Sequence, residues 1–300
     1  STTAGRGTAL RNAHYAGTYT LIEKIKVGPD RVDIAKLYKS EEAEPFVTGG
    51  FLMKKDRNDP GAFGFSIPGG PGFAGQTILY VSPKESGERA ASTAQKAWLR
   101  NWMTKFTQAL AGANFTDPDQ GYRQYVDTAS FIDHHILVEL CKNIDGYRLS
   151  TFMYKDREGL LNMGPIWDYN LSLRNADYLD GWKPDGWYYR LIGSDAYPWY
   201  PRLFQDPGFR EEYNQRWMEL RRKDFQISEL MADIDEWTEL LTESAERNYK
   251  KWTTLGRYLW PNPNPLARTW QEEVDLMKDW LRRRVIWMDT QLIPAPVISP

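Results

Sequence analysis

The pattern of apolar positions divides the chain into a β-rich part followed by a helix-rich part. Residues 15–27 alternate apolar and polar side chains around a glycine, which predicts a strand or hairpin arm. Between residues 47 and 81, short apolar runs are broken by Gly and Pro clusters, which predicts a β-rich insertion with irregular, exposed loops. Residues 91–112 carry an apolar side chain at every fourth position, which predicts a helix capped by Thr93.

The second half of the pattern predicts further helices around one strand pair. Residues 128–142 place apolar side chains on one face and predict a helix. Two strand-like runs follow, at about 151–154 and 160–166. A long aromatic loop from 182 to 200 comes next, and everything beyond Pro207 has a helical pattern.

The last helix has the clearest start signal. Thr269 and Glu272 stand at the spacing of a capping box, in which each side chain accepts a hydrogen bond from the other residue's backbone. An apolar stripe continues from there, and prolines at 294 and 296 end the helix. The order of elements, β-rich then helical, predicts the α+β class, with a small β lobe on a larger helical lobe.

Composition narrows the function classes. Hydrophobic residues make up 41% and charged residues 26% of the chain, and 38 basic against 40 acidic side chains leave a formal net charge of −2. These values are those of an ordinary globular protein. The densest basic cluster, at 282–284, lies among acidic residues on a predicted helix. We therefore expect no nucleic-acid partner.

Cysteine content and hydropathy exclude further classes. Cys141 is the one cysteine, so neither an intramolecular disulfide nor a Cys-rich zinc site can form. No apolar run approaches the roughly 18 residues of a membrane span, so none is expected. The 13 Trp and 17 Tyr residues can form core, sugar-stacking platforms or interface anchors, of which core is the default.

Two carboxylates stand where phosphoryl-transfer chemistry could be built. Asp145 lies between the predicted 128–142 helix and the next strand, and Asp168 ends the strand after that. A hairpin between them could bring the two side chains together. Phosphoryl transfer needs one carboxylate to orient the acceptor hydroxyl, and acidic or amide oxygens to hold Mg²⁺ on the phosphates. The structural alternatives are a turn residue for Asp145 and a strand-end cap or buried acceptor for Asp168.

The residues around these acids resemble a known family. Residues 142–156 and 164–173 read KNIDGYRLSTFMYKD and GPIWDYNLSL, and in sequence and spacing they are similar to the core signature of the spore coat protein H (CotH) kinases. Further similarity lies in the Tyr-Ala-Gly-Thr-Tyr run from residue 15, in Thr-Gly-Gly-Phe from 48 and in the final Trp-rich helix. The resemblance covers about residues 15 to 292.

The resemblance implies an atypical protein-kinase-like fold, with a partial, β-rich small lobe at 1–90 and a helical lobe at 91–300. It implies that Asp145 is the catalytic aspartate, which orients the acceptor hydroxyl and receives its proton. Asp168 would hold Mg²⁺ or Mn²⁺ on ATP, with Asn170 as a second oxygen ligand. The implied activity is ATP-dependent phosphorylation of a protein substrate by an exported or cell-surface bacterial protein.

Other positions matching the family add expectations and departures. Glu23 and Lys24 would line the ATP cleft. Ser150 stands at a cofactor-binding position where many relatives carry Asn, and a hydroxyl is a poorer metal ligand than an amide carbonyl. Asn170 replaces an Asp of many relatives, and Arg174 a frequent Gly. The sequence also starts at what looks like the fourth strand of a kinase small lobe, without the earlier strands.

Two other functions fit the same fold. One is a catalytically silent surface or binding protein that uses the aromatic loop from 182 to 200 to hold a protein or glycan. The other is an ATP-using enzyme that transfers a group other than phosphate, since a fold does not dictate a reaction. Metal-dependent ATP binding that is lost when Asp168 is removed would favour an enzyme over a silent binding protein.

Overall fold

The computed structural model describes residues 15–69, 74–87 and 89–293. The predicted α+β class is confirmed, because the described residues form one five-stranded sheet and seven helices. The strands are β1 Phe51–Lys55, β2 Gly64–Ile67, β3 Gln76–Ser82, β4 Thr151–Lys155 and β5 Leu161–Met163. The helices are α1 Thr93–Ala111, α2 Thr128–Cys141, α3 Tyr188–Ala196, α4 Trp199–Leu203, α5 Pro207–Arg221, α6 Ile227–Lys251 and α7 Trp270–Leu292.

The sheet joins strands that are far apart in the chain. Its order is β2-β3-β1-β4-β5, and every pairing is antiparallel. The central strand β1 buries Phe51, Leu52 and Met53 completely, as expected of a strand covered on both faces. Lys55, the last residue of β1, lies opposite Thr151, the first residue of β4. This pairing places the end of β1 beside the loop that leads into β4.

Two expectations for the N-terminal part are wrong. Residues 15–26 form no strand, and Val27 makes only an isolated bridge with Val32. The alternating side chains have no neighbouring strand to pair with, and Leu21 is fully exposed. The region from 47 to 81 is more regular than predicted, because it contains β1, β2 and β3 between its Gly- and Pro-rich loops.

Helices α1 and α2 confirm the predicted helices, with small differences at their ends. The residue that caps α1 is Ser92 rather than Thr93, in a capping box with Gln95. The box predicted at α7 is half formed. The Thr269 hydroxyl accepts a hydrogen bond from the Glu272 backbone N–H, but the Glu272 carboxylate accepts from the N–H of Arg268.

Two expectations for the C-terminal part are also wrong. The aromatic loop contains helices α3 and α4. Most of its aromatic side chains are buried, so it is not a surface loop. Residues 252–269 are irregular, although the pattern beyond Pro207 predicted helix. Three prolines, at 261, 263 and 265, lie in that stretch, and each lacks the N–H that a helix interior requires.

The chain forms two compact units. One comprises residues 25–172 and 186–218 and contains the whole sheet. The other comprises residues up to 24, 173–185 and from 219 onward, and its main elements are α6 and α7. The division at residue 90 into a β-rich and a helical lobe stays a prediction. None of the seven described helices has the length and apolar run needed to cross a bilayer.

Candidate active site

Asp145 lies in the short loop that joins α2 to β4. Helix α2 ends at Cys141, and Lys142 follows in the left-handed region at φ 48°, which turns the chain out of the helix. The Asn143 side chain then accepts a hydrogen bond from the Asp145 N–H at 3.2 Å, as in an Asx turn. We call residues 142–150 the Asp145 loop.

The structure brings Asp145, Asp168 and Ser150 together. Backbone bonding holds the Asp145 loop to the segment after β5, since the Ile144 N–H donates to the Leu171 carbonyl at 3.2 Å. The Asn143 amide donates to the Asp168 carbonyl oxygen at 3.5 Å, and the Ser150 hydroxyl to the Asp168 carboxylate at 3.4 Å. These bonds place the two predicted carboxylates in one site.

Several residues of the site have left-handed backbone conformations. The φ angles are 69° at Tyr147, 50° at Ser150 and 62° at Asp168. Such conformations are uncommon for residues with a Cβ and cost on the order of 1 kcal/mol each, so the surrounding contacts must enforce them. Their concentration at the two carboxylates is the pattern found at active sites.

Arg148 and Tyr188 fix the position of Asp145. Arg148 donates from Nη2 to Asp145 Oδ1 at 3.2 Å and to the Ile144 carbonyl at 3.0 Å. Its Nε donates to the Tyr188 hydroxyl at 3.0 Å, and that hydroxyl donates to the same Ile144 carbonyl. Tyr188 is fully buried at the start of α3. One oxygen of Asp145 is therefore held by a guanidinium that a buried tyrosine anchors.

Burial and charge act in opposite directions on Asp145. Burial raises the pKa of the Asp145 carboxyl above its usual value, and the nearby charges of Arg148 and Arg57 partly offset that rise. The carboxylates of Asp168 and Asp56 raise it further. A carboxylate with a raised pKa is a better proton acceptor than a fully solvated one, which suits a general base.

The buried carboxylate of Glu139 supports the Asp145 loop. Glu139 of α2 is fully buried and accepts backbone hydrogen bonds from Tyr188 at 2.9 Å and Tyr189 at 2.8 Å, the first two residues of α3. It also accepts from the Tyr147 hydroxyl at 3.2 Å. The carboxylate thus satisfies N–H groups that a helix start leaves without partners, and it ties α3 to the loop.

The end of β1 supplies charged groups on the other side of the site. Burial, together with the charge of Arg148, lowers the pKa of Lys55 to about 8. Lys54 pairs with Asp56 at 2.7 Å. Burial raises the pKa of Asp56, but hydrogen bonds from Lys54, from the Arg57 backbone and from the Ser150 backbone outweigh it, so the pKa is lowered. Two lysines at the end of β1 and the Asp56 carboxylate that follows them therefore border the acid pair.

A cavity of about 410 Å³ adjoins the segment that leads to Asp168. It is lined by Arg31, Val32, Asp33, Tyr154, Met163, Gly164 and Pro165. Its last lining residue lies three positions before Asp168. Small-molecule sites commonly have volumes of about 300 to 1,000 Å³, so the cavity is large enough for a small molecule.

Three predicted site residues are not placed beside Asp168 by any contact described above. Asn170 is exposed two residues after it, and its role as a metal ligand stays a prediction. Glu23 and Lys24 are exposed in a stretch without regular structure, in the other compact unit. Their position in an ATP cleft also stays a prediction.

Sequence reasoning missed Arg148, Tyr188 and Glu139. A signal existed for Arg148, which stands three residues after a candidate catalytic acid. Glu139 had a weaker signal, as a charged residue on an otherwise apolar helix face, four residues after His135. Nothing in the sequence singles out Tyr188 among the tyrosines of the aromatic loop.

The aromatic loop is mostly core. Tyr188, Tyr189, Tyr197, Trp199 and Tyr200 are all 6% exposed or less. Buried rings cannot present a stacking face to a glycan or partner. The hypothesis of a silent binding protein uses this loop as a binding platform. For these five residues that use is wrong.

Comparison with protein families identifies one match. A family model described as CotH kinase protein matches residues 10–288 of the 300-residue chain. This range includes all of β1–β5, the Asp145 loop and Asp168. A comparison with curated protein sequences finds no significant match.

Proposed function

The chain belongs to the CotH kinase family, and on that premise we propose that it transfers the γ-phosphoryl group of ATP to a hydroxyl group of a protein. Family membership suggests a kinase-like phosphotransferase. The observation that carries the finer proposal is the convergence of Asp145 and Asp168, which are separated in sequence by strands β4 and β5, on one site through the Asp145 loop.

Asp145 is the proposed general base. Its Oδ1 accepts the hydrogen bond of Arg148, and no other described side chain donates to its carboxylate. Oδ2 is therefore available for an acceptor hydroxyl. As the hydroxyl oxygen bonds to the γ-phosphorus, the bond from that phosphorus to the bridging oxygen breaks and ADP leaves, while Asp145 takes the hydroxyl proton. The raised pKa of Asp145 favours that proton transfer.

The residues present fit a divalent cation for which water and the nucleotide supply most of the ligands. Asp168 offers an exposed carboxylate with the Ser150 hydroxyl 3.4 Å away. The described residues contain no cluster of three or more His, Cys, Asp or Glu side chains arranged for a metal ion. Mg²⁺ is commonly held by one or two carboxylates plus substrate phosphates, so such a cluster is not required. A bound Mg²⁺ or Mn²⁺ would neutralise phosphate charge, with Asp168, Ser150 and Asn170 as its protein ligands.

The cavity near Asp168 is the proposed site of the nucleoside. Its volume of about 410 Å³ fits a nucleoside, and its lining joins residues of β4 and β5 to Arg31 and Asp33. Pro165, which lines the cavity, lies only three residues before Asp168. This short separation supports a nucleotide orientation in which the phosphates lie near the acid pair. Export to the cell surface, which the family resemblance implies, belongs to the same proposal and is testable by cell fractionation.

A thermal-shift titration tests the nucleotide site. ATP with Mg²⁺ or Mn²⁺ should raise the unfolding temperature of the wild-type chain, because a ligand that binds only the native state stabilises it. Asp168→Ala should abolish the rise, whereas Asp224→Ala, at an exposed position, should keep it. Asp145→Asn should still bind ATP but should transfer no phosphate to a protein acceptor, as judged by mass spectrometry. A rise that survives Asp168→Ala would contradict the assignment.

A further inference from the structure

A second cavity lies at the β2 edge of the sheet, whereas the cavity near Asp168 adjoins β4 and β5. It has a volume of about 390 Å³ and is lined by Asn58, Ala62, Gly64, Phe65, Ser66, Thr77, Leu79 and Arg100. The strand that borders it, β2, is an edge strand, paired with β3 on one side and with no other strand in the described part of the chain. None of the residues of the proposed phosphotransfer site lines this cavity.

The outer edge of β2 presents free backbone groups. The Tyr80 N–H donates to the Phe63 carbonyl at 3.0 Å, and the register continues with Phe65 opposite Ile78. In an antiparallel pair, residues alternate between bonding to the partner strand and pointing away from it. Gly64 and Ser66 therefore direct their N–H and C=O groups outward, and both residues are exposed. A free edge of this kind can accept an added strand.

The helix beside this edge is basic. Helix α1 packs against β2 and carries Lys96, Arg100 and Lys105 but no Asp or Glu. The Lys96 ammonium lies 5.7 Å from the centre of the Phe63 ring. Arg100 is exposed, lines the cavity, and its guanidinium forms no hydrogen bond or ion pair with any residue that the structure describes. The Arg100 guanidinium is therefore available to an anionic ligand in the cavity.

We propose that the outer edge of β2 and the cavity beside it bind an extended, acidic segment of a partner protein. Main-chain hydrogen bonds to Gly64 and Ser66 would add the segment to the sheet as a further strand. Alternate side chains of such a strand point to the same face, so every second residue could enter the cavity. Arg100 selects a carboxylate there, because a planar guanidinium binds a carboxylate through two parallel hydrogen bonds.

This site stands independently of the proposed phosphotransfer, since it requires only the sheet edge and α1. One link joins the two sites. Asn58, which lines the cavity, lies two residues after Asp56, whose carboxylate accepts a hydrogen bond from the Ser150 backbone. The cavity is therefore linked to the Asp145 loop through residues 56–58 of the chain.

Binding can be measured on the full chain without catalysis. The probe is a fluorescein-labelled eight-residue peptide of alternating Ser and Glu, with an alternating Ser and Gln peptide as the neutral control, followed by fluorescence anisotropy. We expect the acidic peptide to bind and Arg100→Glu to weaken it by about tenfold or more, since it places like charges together. Ser66→Pro should weaken binding about fivefold by removing an outward N–H that β3 does not use.

Controls separate this site from a general charge effect. Arg222→Glu reverses an exposed arginine outside the sheet unit and should leave binding unchanged. The milder Arg100→Gln, with an unchanged unfolding temperature, separates lost contact from lost folding. Absence of acidic-peptide binding, equal binding by all variants, or equal affinity for the Gln peptide would overturn the proposal. Self-association of the wild type that Ser66→Pro abolishes, without peptide binding, would show instead that the edge pairs with a second copy.

Discussion

The two segments that carry the acid pair are built in opposite ways. In the Asp145 loop, Lys142, Asn143 and Ile144 are all 2% exposed or less, and bonds to α3 and Arg148 fix the backbone and the carboxylate. In the segment around Asp168, that residue and Asn170 are exposed, and Ile166 is 52% exposed. Contacts within the protein fix the position of Asp145, whereas Asp168 faces solvent.

This difference matches the two proposed roles. A general base must already stand at the right place for the acceptor hydroxyl, because misplacement by about 1 Å can cost around 100-fold in rate. A metal ligand must instead reach an ion that arrives with its nucleotide and keeps several waters. The contrast predicts that changes around Asp145 alter stability and rate, and that changes around Asp168 alter nucleotide affinity.

The largest effect should come from the support of the Asp145 loop. Glu139→Ala leaves the buried N–H groups of Tyr188 and Tyr189 without an acceptor and should lower the free energy of unfolding by about 3 kcal/mol in urea titrations. Glu139→Gln keeps one acceptor oxygen and should lose roughly half as much. If Glu139→Ala costs no more than Glu212→Ala, at a half-exposed position, the support is not structural.

The next effect concerns Arg148. Arg148→Met frees Asp145 Oδ1 and should lower the phosphotransfer rate by about 10- to 100-fold, with a smaller change in the KM for ATP. Burial already raises the pKa of Asp145 and Arg148 opposes that rise, so the variant should have a still higher pKa. The acid limb of the pH–rate profile should therefore move to higher pH. Arg148→Lys keeps the positive charge but lacks the planar guanidinium, so it should restore the pH profile more fully than the rate. An acid limb that does not move in Arg148→Met would contradict the assignment.

The smallest effect should come from Ser150, on the border between the two segments. Its φ of 50° is a conformation that Asn adopts more readily than Ser. Ser150→Asn should therefore stabilise the fold by about 0.5 kcal/mol, as measured by thermal unfolding. The amide oxygen should also strengthen metal-dependent ATP binding by several-fold, about 1 kcal/mol or less. Equal metal-dependent ATP affinity of the wild type, Ser150→Asn and Ser150→Ala would show that the position takes no part in the metal site.

The sequence was informative where local signals agree with packing. The four-residue repeat of α1 and the apolar face of α2 predict those helices, and the family motifs predict that Asp145 and Asp168 act together. The sequence did not predict that β1 pairs with β4, because that pairing joins residues about 100 positions apart. It also did not predict that the aromatic loop is buried, since the same rings serve equally well in a core or on a surface.

The charged bond between Glu139 and α3 also bears on when the site forms during synthesis. Its partners lie 49 and 50 residues further along the chain, after both acids of the site. A chain emerging from the ribosome at about 5 to 20 residues per second would present Asp145 and Asp168 seconds before α3 could dock on Glu139. Until then Arg148 lacks the Tyr188 hydroxyl that anchors its Nε, and the Glu139 carboxylate lacks its two backbone donors. A truncated product ending before residue 188 would therefore carry both motifs without the contacts that α3 makes to Arg148 and Glu139.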